Sequence, residues 1–291
     1  MAGRTWLPID VGAQATTPYL LPPAAAGAVV AGVLGAFALA VACAIVAVAV
    51  AALMAPVVFR SPSPAPAPDG AHLTVAHANV YIDNERPADA ARTLFALDAD
   101  VLAVTEYITG VRNELIALGI ERTHPHRVEA VSGDRDGIAL YSRFPMEART
   151  VHFGHQPGID ATIRREGSAI RVMVVHPVPG TNRAWLRRWR SDMGSIGLAA
   201  ASGGRPTMVV GDFNASRWHP CFRRLLDTGL VDAHEQVGRG LSVSWPELSI
   251  APAFVRLDHA LVNEALVATA VADVIVPGSD HRGFMVTVAT T

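Results

Sequence analysis

An apolar run without a charged side chain occupies residues 24–59 and is rich in Ala, Val, Leu and Gly. About 20 apolar residues are enough for a helix to cross a bilayer. Because this run is longer, it predicts one membrane-spanning helix that tilts or continues past the interface. The alternatives are a buried helix and a cleaved signal peptide, but a signal peptide has a shorter apolar core behind a positive start. Here residues 1–23 precede the run and contain one base, Arg4.

A proline-rich stretch follows the apolar run. Alternating Pro in residues 60–70 favours polyproline II, a semi-rigid spacer that lifts a domain off a membrane. We therefore divide the chain into an arm (1–23), a transmembrane segment (24–59), a linker (60–70) and a main domain (71–291). Arg4 and Arg60 flank the span and leave the positive-inside count nearly balanced. We expect a single-pass cell-membrane protein, a monomer, with its main domain outside the cytoplasm.

The composition excludes some classes of protein. Hydrophobic residues make up 51% of the chain and charged residues 17%, whereas a disordered chain needs low hydrophobicity and high charge. A net charge of −2 gives no overall attraction to nucleic acid. Only Cys221 lies outside the apolar run, so the main domain has no internal disulfide.

Short runs rich in Val, Ile, Leu and Thr alternate with helix-like stretches after residue 71. The predicted strands outnumber the helices, and residues 138–141 are expected to form a hairpin with 149–153. This pattern favours an α/β (α+β) domain of two packed mixed sheets over a parallel doubly wound sheet. Asn182 is the expected N-cap of one helix. The predicted strands are 73–80, 100–106, 136–142, 161–165, 169–176, 207–211, 254–262, 271–276 and 283–288, and the helices are 87–97, 109–118, 183–201 and 220–228.

Polar residues fall at the ends of these strands, where ligand sites of layered α/β domains gather. Carboxylates and amides without thiols are ligands typical of Mg²⁺, Mn²⁺ or Ca²⁺. Neighbouring imidazoles supply a base or a charged donor, and together these groups suit metal-assisted hydrolysis of a phosphate ester. An isolated Asp after a strand is usually a turn residue, but the ordered set is much less expected by chance. The set comprises Asn79, Glu106, His176, Asp212, Asn214, Asp258, Asp280 and His281.

The order of these motifs resembles the endonuclease/exonuclease/phosphatase superfamily. The resemblance covers roughly residues 72–289 and implies the deoxyribonuclease I-like fold, a four-layered α/β sandwich. The whole chain is similar to membrane-anchored bacterial members. The segments that carry the resemblance are Asn79, Glu106, Ser142-Arg143-Phe144-Pro145, His176, Gly211-Asp212-Phe213-Asn214-Ala215, Arg256-Leu257-Asp258-His259 and Ser279-Asp280-His281.

The resemblance implies a role for each residue. Glu106 is the main ligand of a divalent metal, most simply Mg²⁺, with Asn79 and Asp280 as further ligands. His281 is the base or phosphate-binding imidazole, oriented by Asp258. The catalytic set is completed by a residue that activates water, Asp212, and two that hold the scissile phosphate, Asn214 and His176.

Three functions stay open at this point. The first is a membrane-anchored, nuclease-like phosphodiesterase, and the second is a phospholipid or small-molecule phosphoesterase on the same fold. The third is a non-catalytic binding module, which the complete set of acids, amides and imidazoles disfavours. The predicted helix at 183–201 combines Arg with Trp, and two interpretations stay open. It is either an amphipathic helix that covers a sheet, with Trp inward and Arg in water, or a surface that contacts phosphate groups or a membrane.

Overall fold

The computed structural model describes residues 7–59, 65–67, 70–130, 137–247 and 252–291, so most of the predicted linker lies outside the described residues. Helices and strands are numbered in chain order. The helices are α1 (Pro8–Ala15), α2 (Leu21–Val33), α3 (Phe37–Val58), α4 (Pro87–Ala96), α5 (Thr109–Leu118), α6 (Ile120–Thr123), α7 (Arg183–Ala201), α8 (Pro220–Leu226) and α9 (Ala233–Gln236). The strands are β1 (His72–Asn79), β2 (Val101–Thr105), β3 (His126–Ala130), β4 (Ile138–Ser142), β5 (Met146–Phe153), β6 (Gln156–Arg165), β7 (Ser168–Val175), β8 (Thr207–Asp212), β9 (Val231–Asp232), β10 (Asp258–Val262), β11 (Leu266–Ile275) and β12 (Arg282–Thr290).

Two mixed sheets form the main domain. The first has the order β11-β12-β1-β2-β4-β3 and the second the order β5-β6-β7-β8-β10-β9. The pairs β1–β2 and β7–β8 are parallel, and their neighbours pair antiparallel. Apolar side chains of the two sheets face each other in one core, in which Val75, Val172 and Val286 are fully buried.

Helices cover the outer face of each sheet and complete four layers. Helices α4 and α5 pack on the first sheet through Leu94 and Leu115. Helices α7 and α8 pack on the second sheet through Trp189 and Phe222. Helix α7 begins as expected, because the side chain of Asn182 accepts hydrogen bonds from the first backbone N–H groups. The predicted fold class is confirmed.

The predicted hairpin between residues 138–141 and 149–153 is wrong. Strand β4 lies between β2 and β3 in the first sheet, and β5 pairs with β6 in the second. All five residues of β4 are buried, since the strand is covered on both faces and paired at both edges. The chain changes sheets at Phe144–Pro145, and no local pattern distinguishes this crossing from a hairpin turn.

The apolar run forms two helices in place of one continuous helix. It breaks at Gly35, which has a φ of +73°, a conformation that Gly adopts without strain. Helices α2 and α3 then pack side by side, and Gly27 faces Cys43 at about equal distance from the turn. Of the described helices, only α3 is long and apolar enough to cross a membrane, and its mean hydropathy is 2.8.

Candidate active site

The predicted polar residues meet at one end of the two facing sheets. Strands β10 and β12 run opposite to β8 and β1, so their first residues lie beside the last residues of those neighbours. The sequence alone suggested this common rim, and the described contacts bring its members together. Asn79 and Asp212 end β1 and β8, Glu106 and His176 follow β2 and β7, Asp258 begins β10, and His281 precedes β12.

Hydrogen bonds fix Glu106 at the centre of the site. Asn79 Nδ2 donates to Glu106 Oε1 at 2.8 Å and to Asp212 Oδ2 at 3.1 Å. The backbone N–H of Ile82 donates to Glu106 Oε2 at 2.8 Å. Asn79 Oδ1 accepts from the Tyr81 N–H at 2.9 Å, which leaves Nδ2 facing the site. The Asn79 side chain therefore acts in this arrangement as a hydrogen-bond donor that orients the two carboxylates. Its role as a metal ligand stays a prediction.

Two site residues hold strained backbone conformations. Glu106 and Asn214 have φ values of +49° and +48°, a region that costs non-glycine residues about 1–3 kcal/mol. Asn214 is held there by its N–H, which donates to Asp212 Oδ1 at 2.7 Å, and by its Nδ2, which donates to Pro177 O at 3.0 Å. Such strain concentrates where side chains must be aimed for function.

His281 and Asp258 form a buried pair beside these carboxylates. His281 Nδ1 lies 2.7 Å from Asp258 Oδ2, and its Nε2 points toward Asp212 Oδ2 at 3.8 Å. Burial alone would lower the pKa of His281, but the charges of Asp258 and Asp212 outweigh it and raise this pKa to about 10. Burial would raise the pKa of Asp258, but His281 holds it below its usual value. The pair therefore carries an imidazolium and a carboxylate.

The donor atoms around Asp212 fit a divalent cation. One atom each from Glu106, His176 and Asp212 lie within 4.8 Å of one another, and the same holds for Asp212, Asp258 and His281. Burial, helped by the nearby Asp258 carboxylate, raises the pKa of Asp212 to about 6, although the charge of His281 opposes the shift. Oxygen-rich sets of this kind are the ones that hold Mg²⁺, Mn²⁺ or Ca²⁺.

Asp280 occupies a more peripheral position. Its Oδ2 accepts from Trp245 Nε1 at 3.1 Å, at the border of the cleft above the carboxylates. It belongs to neither group of converging donors found among the described residues. Its predicted role as a ligand stays a prediction, and its observed contact orients the Trp245 ring.

The sequence matches the Endonuclease/Exonuclease/phosphatase family over residues 76–281. The chain belongs to this family. Among curated proteins, none matches the sequence. Membership in the Endonuclease/Exonuclease/phosphatase family makes the chain a hydrolase of phosphate esters and agrees with the metal-binding character of the site.

Solved structures confirm the fold of this family member. TDP2 from D. rerio, complexed with a single-strand DNA product, is 17% identical, with a TM-score of 0.64 over 76% of this chain and 100% of that chain. A family protein from Bacteroides thetaiotaomicron is 14% identical, with a TM-score of 0.59 over 76% of this chain and 99% of that chain. Truncated Caenorhabditis elegans TDP2 is 14% identical, with a TM-score of 0.59 over 76% of this chain and 98% of that chain.

Sequence reasoning missed the residues that support the site from behind. His77 is fully buried, and its Nδ1 lies 3.6 Å from Asp258 Oδ1. Ser244 Oγ accepts from the backbone N–H groups of Leu257 and Asp258. Ser279 Oγ donates to Asn79 O at 2.7 Å and ties two site segments together. Ser279 stands in a motif that carries the family resemblance, and His77 lies two residues before Asn79 on β1, whereas Ser244 lies in a loop with no sequence signal.

Proposed function

We propose that this chain is a divalent-metal-dependent phosphodiesterase that hydrolyses its substrate by in-line attack of water. The observation that carries the proposal is the convergence of Glu106, His176 and Asp212 within 4.8 Å, beside an imidazole oriented by a carboxylate. Preorganised charges of this kind stabilise a transferring phosphoryl group, whose transition state spreads negative charge over its oxygens.

Each residue has a defined task in this reaction. Asp212 orients the attacking water and accepts its proton as the new P–O bond forms. Asn214 and His176 hold the non-bridging phosphate oxygens. His281, aligned by Asp258 through Nδ1, presents Nε2 to the phosphate and gives a proton to the leaving ester oxygen as the old P–O bond breaks. Asn79 holds two neighbouring carboxylates at a fixed separation.

Glu106 is the proposed main metal ligand, with Asn79 and Asp280 as the further ligands that the sequence suggests. Mg²⁺ is the proposed ion, and Mn²⁺ or Ca²⁺ would suit the same oxygen ligands. When bound, the ion would neutralise phosphate charge and lower the pKa of a coordinated water.

Nucleic acid is the first candidate for the substrate, and the activity would then be nuclease-like. The similar D. rerio protein was solved with a single-strand DNA product, which supports nucleic acid as a substrate class for this fold. A phospholipid head group is the second candidate, and it is favoured by the apolar side chains of Val178, Trp185 and Trp245 around the cleft. The binding-module alternative is the least supported, because two carboxylates and an imidazole converge within 4.8 Å beside the His281–Asp258 pair, as a hydrolytic site would need.

We further propose that α3 anchors the chain in the cell membrane with the catalytic domain on the extracytoplasmic side. The helix has 22 residues, and at about 1.5 Å per residue this length matches the hydrocarbon core of a bilayer. Membrane fractionation, combined with protease accessibility of the domain in intact cells, tests this location. Recovery of the chain in the soluble fraction would contradict it.

The proposed chemistry is tested with the full chain in detergent. Wild type is expected to hydrolyse bis-p-nitrophenyl phosphate with Mg²⁺ or Mn²⁺ and to lose activity with EDTA. Glu106→Gln should lower kcat/KM by about 10³-fold or more, because it removes a charge that a divalent ion requires. Glu264→Gln is the matched control, since Glu264 is exposed and stands in the turn after β10. Equal activity of Glu106→Gln and Glu264→Gln would refute the assignment.

A further inference from the structure

Helix α1, far from the catalytic motifs in sequence, is docked on the catalytic domain by a buried histidine. His219 Nδ1 accepts from the Ser216 N–H at 2.8 Å, so the ring proton resides on Nε2. That nitrogen donates to Val11 O at 2.9 Å. The His219 side chain is fully buried, and a Cβ on Gly180 would meet Val11 Cγ2 at 3.2 Å, so the two surfaces fit closely.

The segments on either side of α2 and α3 also contact the domain. Tyr19 Oη donates to Phe254 O at 2.5 Å, and the two rings meet edge to face with centroids 6.3 Å apart. At the end of α3, Val57 packs closely against Gly240, so closely that a Cβ added to Gly240 would lie 2.6 Å from Val57 Cγ1. The arm and the end of α3 therefore return to the same region of the domain, because α2 and α3 run antiparallel.

Helix α1 forms one wall of the cleft that contains the catalytic side chains. The cleft has a volume of about 860 Å³ and reaches Glu106, Asp212 and His281 at its base. Clefts of about 300–1,000 Å³ suit ligands of small-molecule size rather than a nucleic-acid duplex. The α1 residues that line it are Pro8, Ile9, Val11, Gly12 and Ala15.

The rest of the wall is also largely apolar. Trp185, Trp245 and Val255 lie around the same opening, and of the described residues that line the cleft one is an arginine, Arg188. Nucleic acid binders neutralise several phosphates with Lys or Arg. A cleft with one guanidinium and an apolar wall suits a substrate with one phosphodiester and an apolar substituent.

The apolar helices lie next to this cleft and bear exposed apolar side chains. Val33, Phe37 and Val48 are 82%, 72% and 69% exposed, as expected for side chains that face lipid. Their return to the domain at Phe254 and Gly240 places the cleft border near the membrane end of the molecule. A lipid head group can therefore enter from the bilayer surface.

We infer that α1 is a specificity-determining wall of the active site, and that the cleft it completes takes the phosphodiester of a membrane lipid. The inference rests on the proposed phosphodiesterase function and deepens it. The lipid's phosphate lies on the catalytic side chains, and its apolar part lies against α1 and the tryptophans. The reaction is the same hydrolysis, in which water adds to phosphorus and the ester oxygen leaves with a proton.

Ile9 offers a direct test because its side chain lines the cleft and is 77% exposed, so that a change there leaves the fold intact. Ile9→Asp is expected to lower kcat/KM for phosphatidylglycerol in mixed vesicles with phosphatidylcholine by about tenfold, relative to kcat/KM for methyl p-nitrophenyl phosphate. Leu198→Asp is the matched control, since Leu198 is 78% exposed on α7 and lies outside the cleft. It should leave this ratio unchanged.

The outcomes separate the inference from the function beneath it. No hydrolysis of any ester by wild type with Mg²⁺, Mn²⁺ or Ca²⁺ would refute the phosphodiesterase itself. Hydrolysis of the small ester with an unaltered ratio in Ile9→Asp would overturn the role of α1 and leave the phosphodiesterase intact. Faster cleavage of a single-stranded oligonucleotide than of the lipid would also overturn the lipid assignment.

Discussion

Two histidine–aspartate pairs stand back to back on β10. Asp258 and His259 are consecutive, so their side chains leave opposite faces of the strand. Asp258 meets His281 at 2.7 Å on the cleft side, and His259 meets Asp232 at 2.7 Å in the interior. We call these the cleft pair and the interior pair.

The pairs differ in what surrounds them. In the interior pair, His259 Nε2 bonds to Ala215 O at 2.9 Å, and Asp232 also accepts from Arg256 at 3.1 Å. In the cleft pair, the carboxylate nearest to His281 Nε2 is Asp212 at 3.8 Å, too far for a hydrogen bond. The interior pair is saturated and holds the fold, whereas the cleft pair presents one ring nitrogen for chemistry.

The largest effect is expected from breaking the cleft pair. His281→Gln should lower kcat by about 10²–10⁴-fold, the range for loss of a proton-transfer group, while the protein stays folded. Activity on bis-p-nitrophenyl phosphate and the circular dichroism spectrum measure the two effects. A folded His281→Gln protein with wild-type kcat would remove His281 from the mechanism.

Breaking the interior pair should have the reverse result. His259→Gln removes one hydrogen-bond partner of the buried Asp232 carboxylate, which keeps Arg256, and should lower the free energy of unfolding by about 1.5–3 kcal/mol. The activity of the folded fraction should fall less than tenfold, since His259 does not reach the cleft. Urea denaturation, with activity measured below the transition, tests both. Should the variant not fold, Asp232→Asn removes the other partner. Wild-type stability in either variant would contradict a structural role for the pair.

His219 sharpens the comparison because none of its partners among the described residues is a carboxylate, although it is buried. Burial lowers its pKa from 6.5 to about 4, so the unfolded state binds more protons between these pH values. Its contribution to stability is therefore complete above pH 6.5 and is lost as the pH falls toward 4. Between pH 7 and pH 4, the free energy of unfolding should fall in both proteins, but by about 2–3 kcal/mol less in His219→Gln than in wild type. Equal acid sensitivity of both proteins would show that His219 is protonated in the fold.

The smallest effect concerns the backbone that carries Asp258. Ser244 Oγ accepts from the Leu257 N–H at 3.0 Å and from the Asp258 N–H at 3.2 Å. Ser244→Ala should cost about 1 kcal/mol of stability and lower kcat less than tenfold. Thermal unfolding and steady-state kinetics measure this change. A loss as large as that of His281→Gln would give Ser244 a direct role in the reaction.

The polar rim could be predicted from sequence because its residues follow buried strands whose ends share one edge. Glu106, Asp212 and His281 each stand next to an apolar run, so local pattern and layer geometry bring them together. The fold class follows for the same reason, since short strands and few helices leave two packed sheets as the simplest arrangement.

The rest depended on contacts between distant parts of the chain. The partner of β4 is decided by which edges are open in a finished sheet, so the expected hairpin with β5 was wrong. Asp232, the partner of His259, stands in a two-residue strand too short to give a pattern. The break at Gly35 carries no polar turn signal, and nothing local to α1 points to a cleft formed by residues that come much later.

The bond between Val11 and His219 joins positions 208 apart in the chain. Closing so long a loop costs conformational entropy, and contacts with the surface around His219 offset this cost only after that surface has formed. During synthesis α1 therefore leaves the ribosome before the domain on which it docks, and it cannot form this bond until α8 and the second sheet have formed. The domain therefore emerges with an open cleft, and a segment made before it is among the last to reach its native contacts.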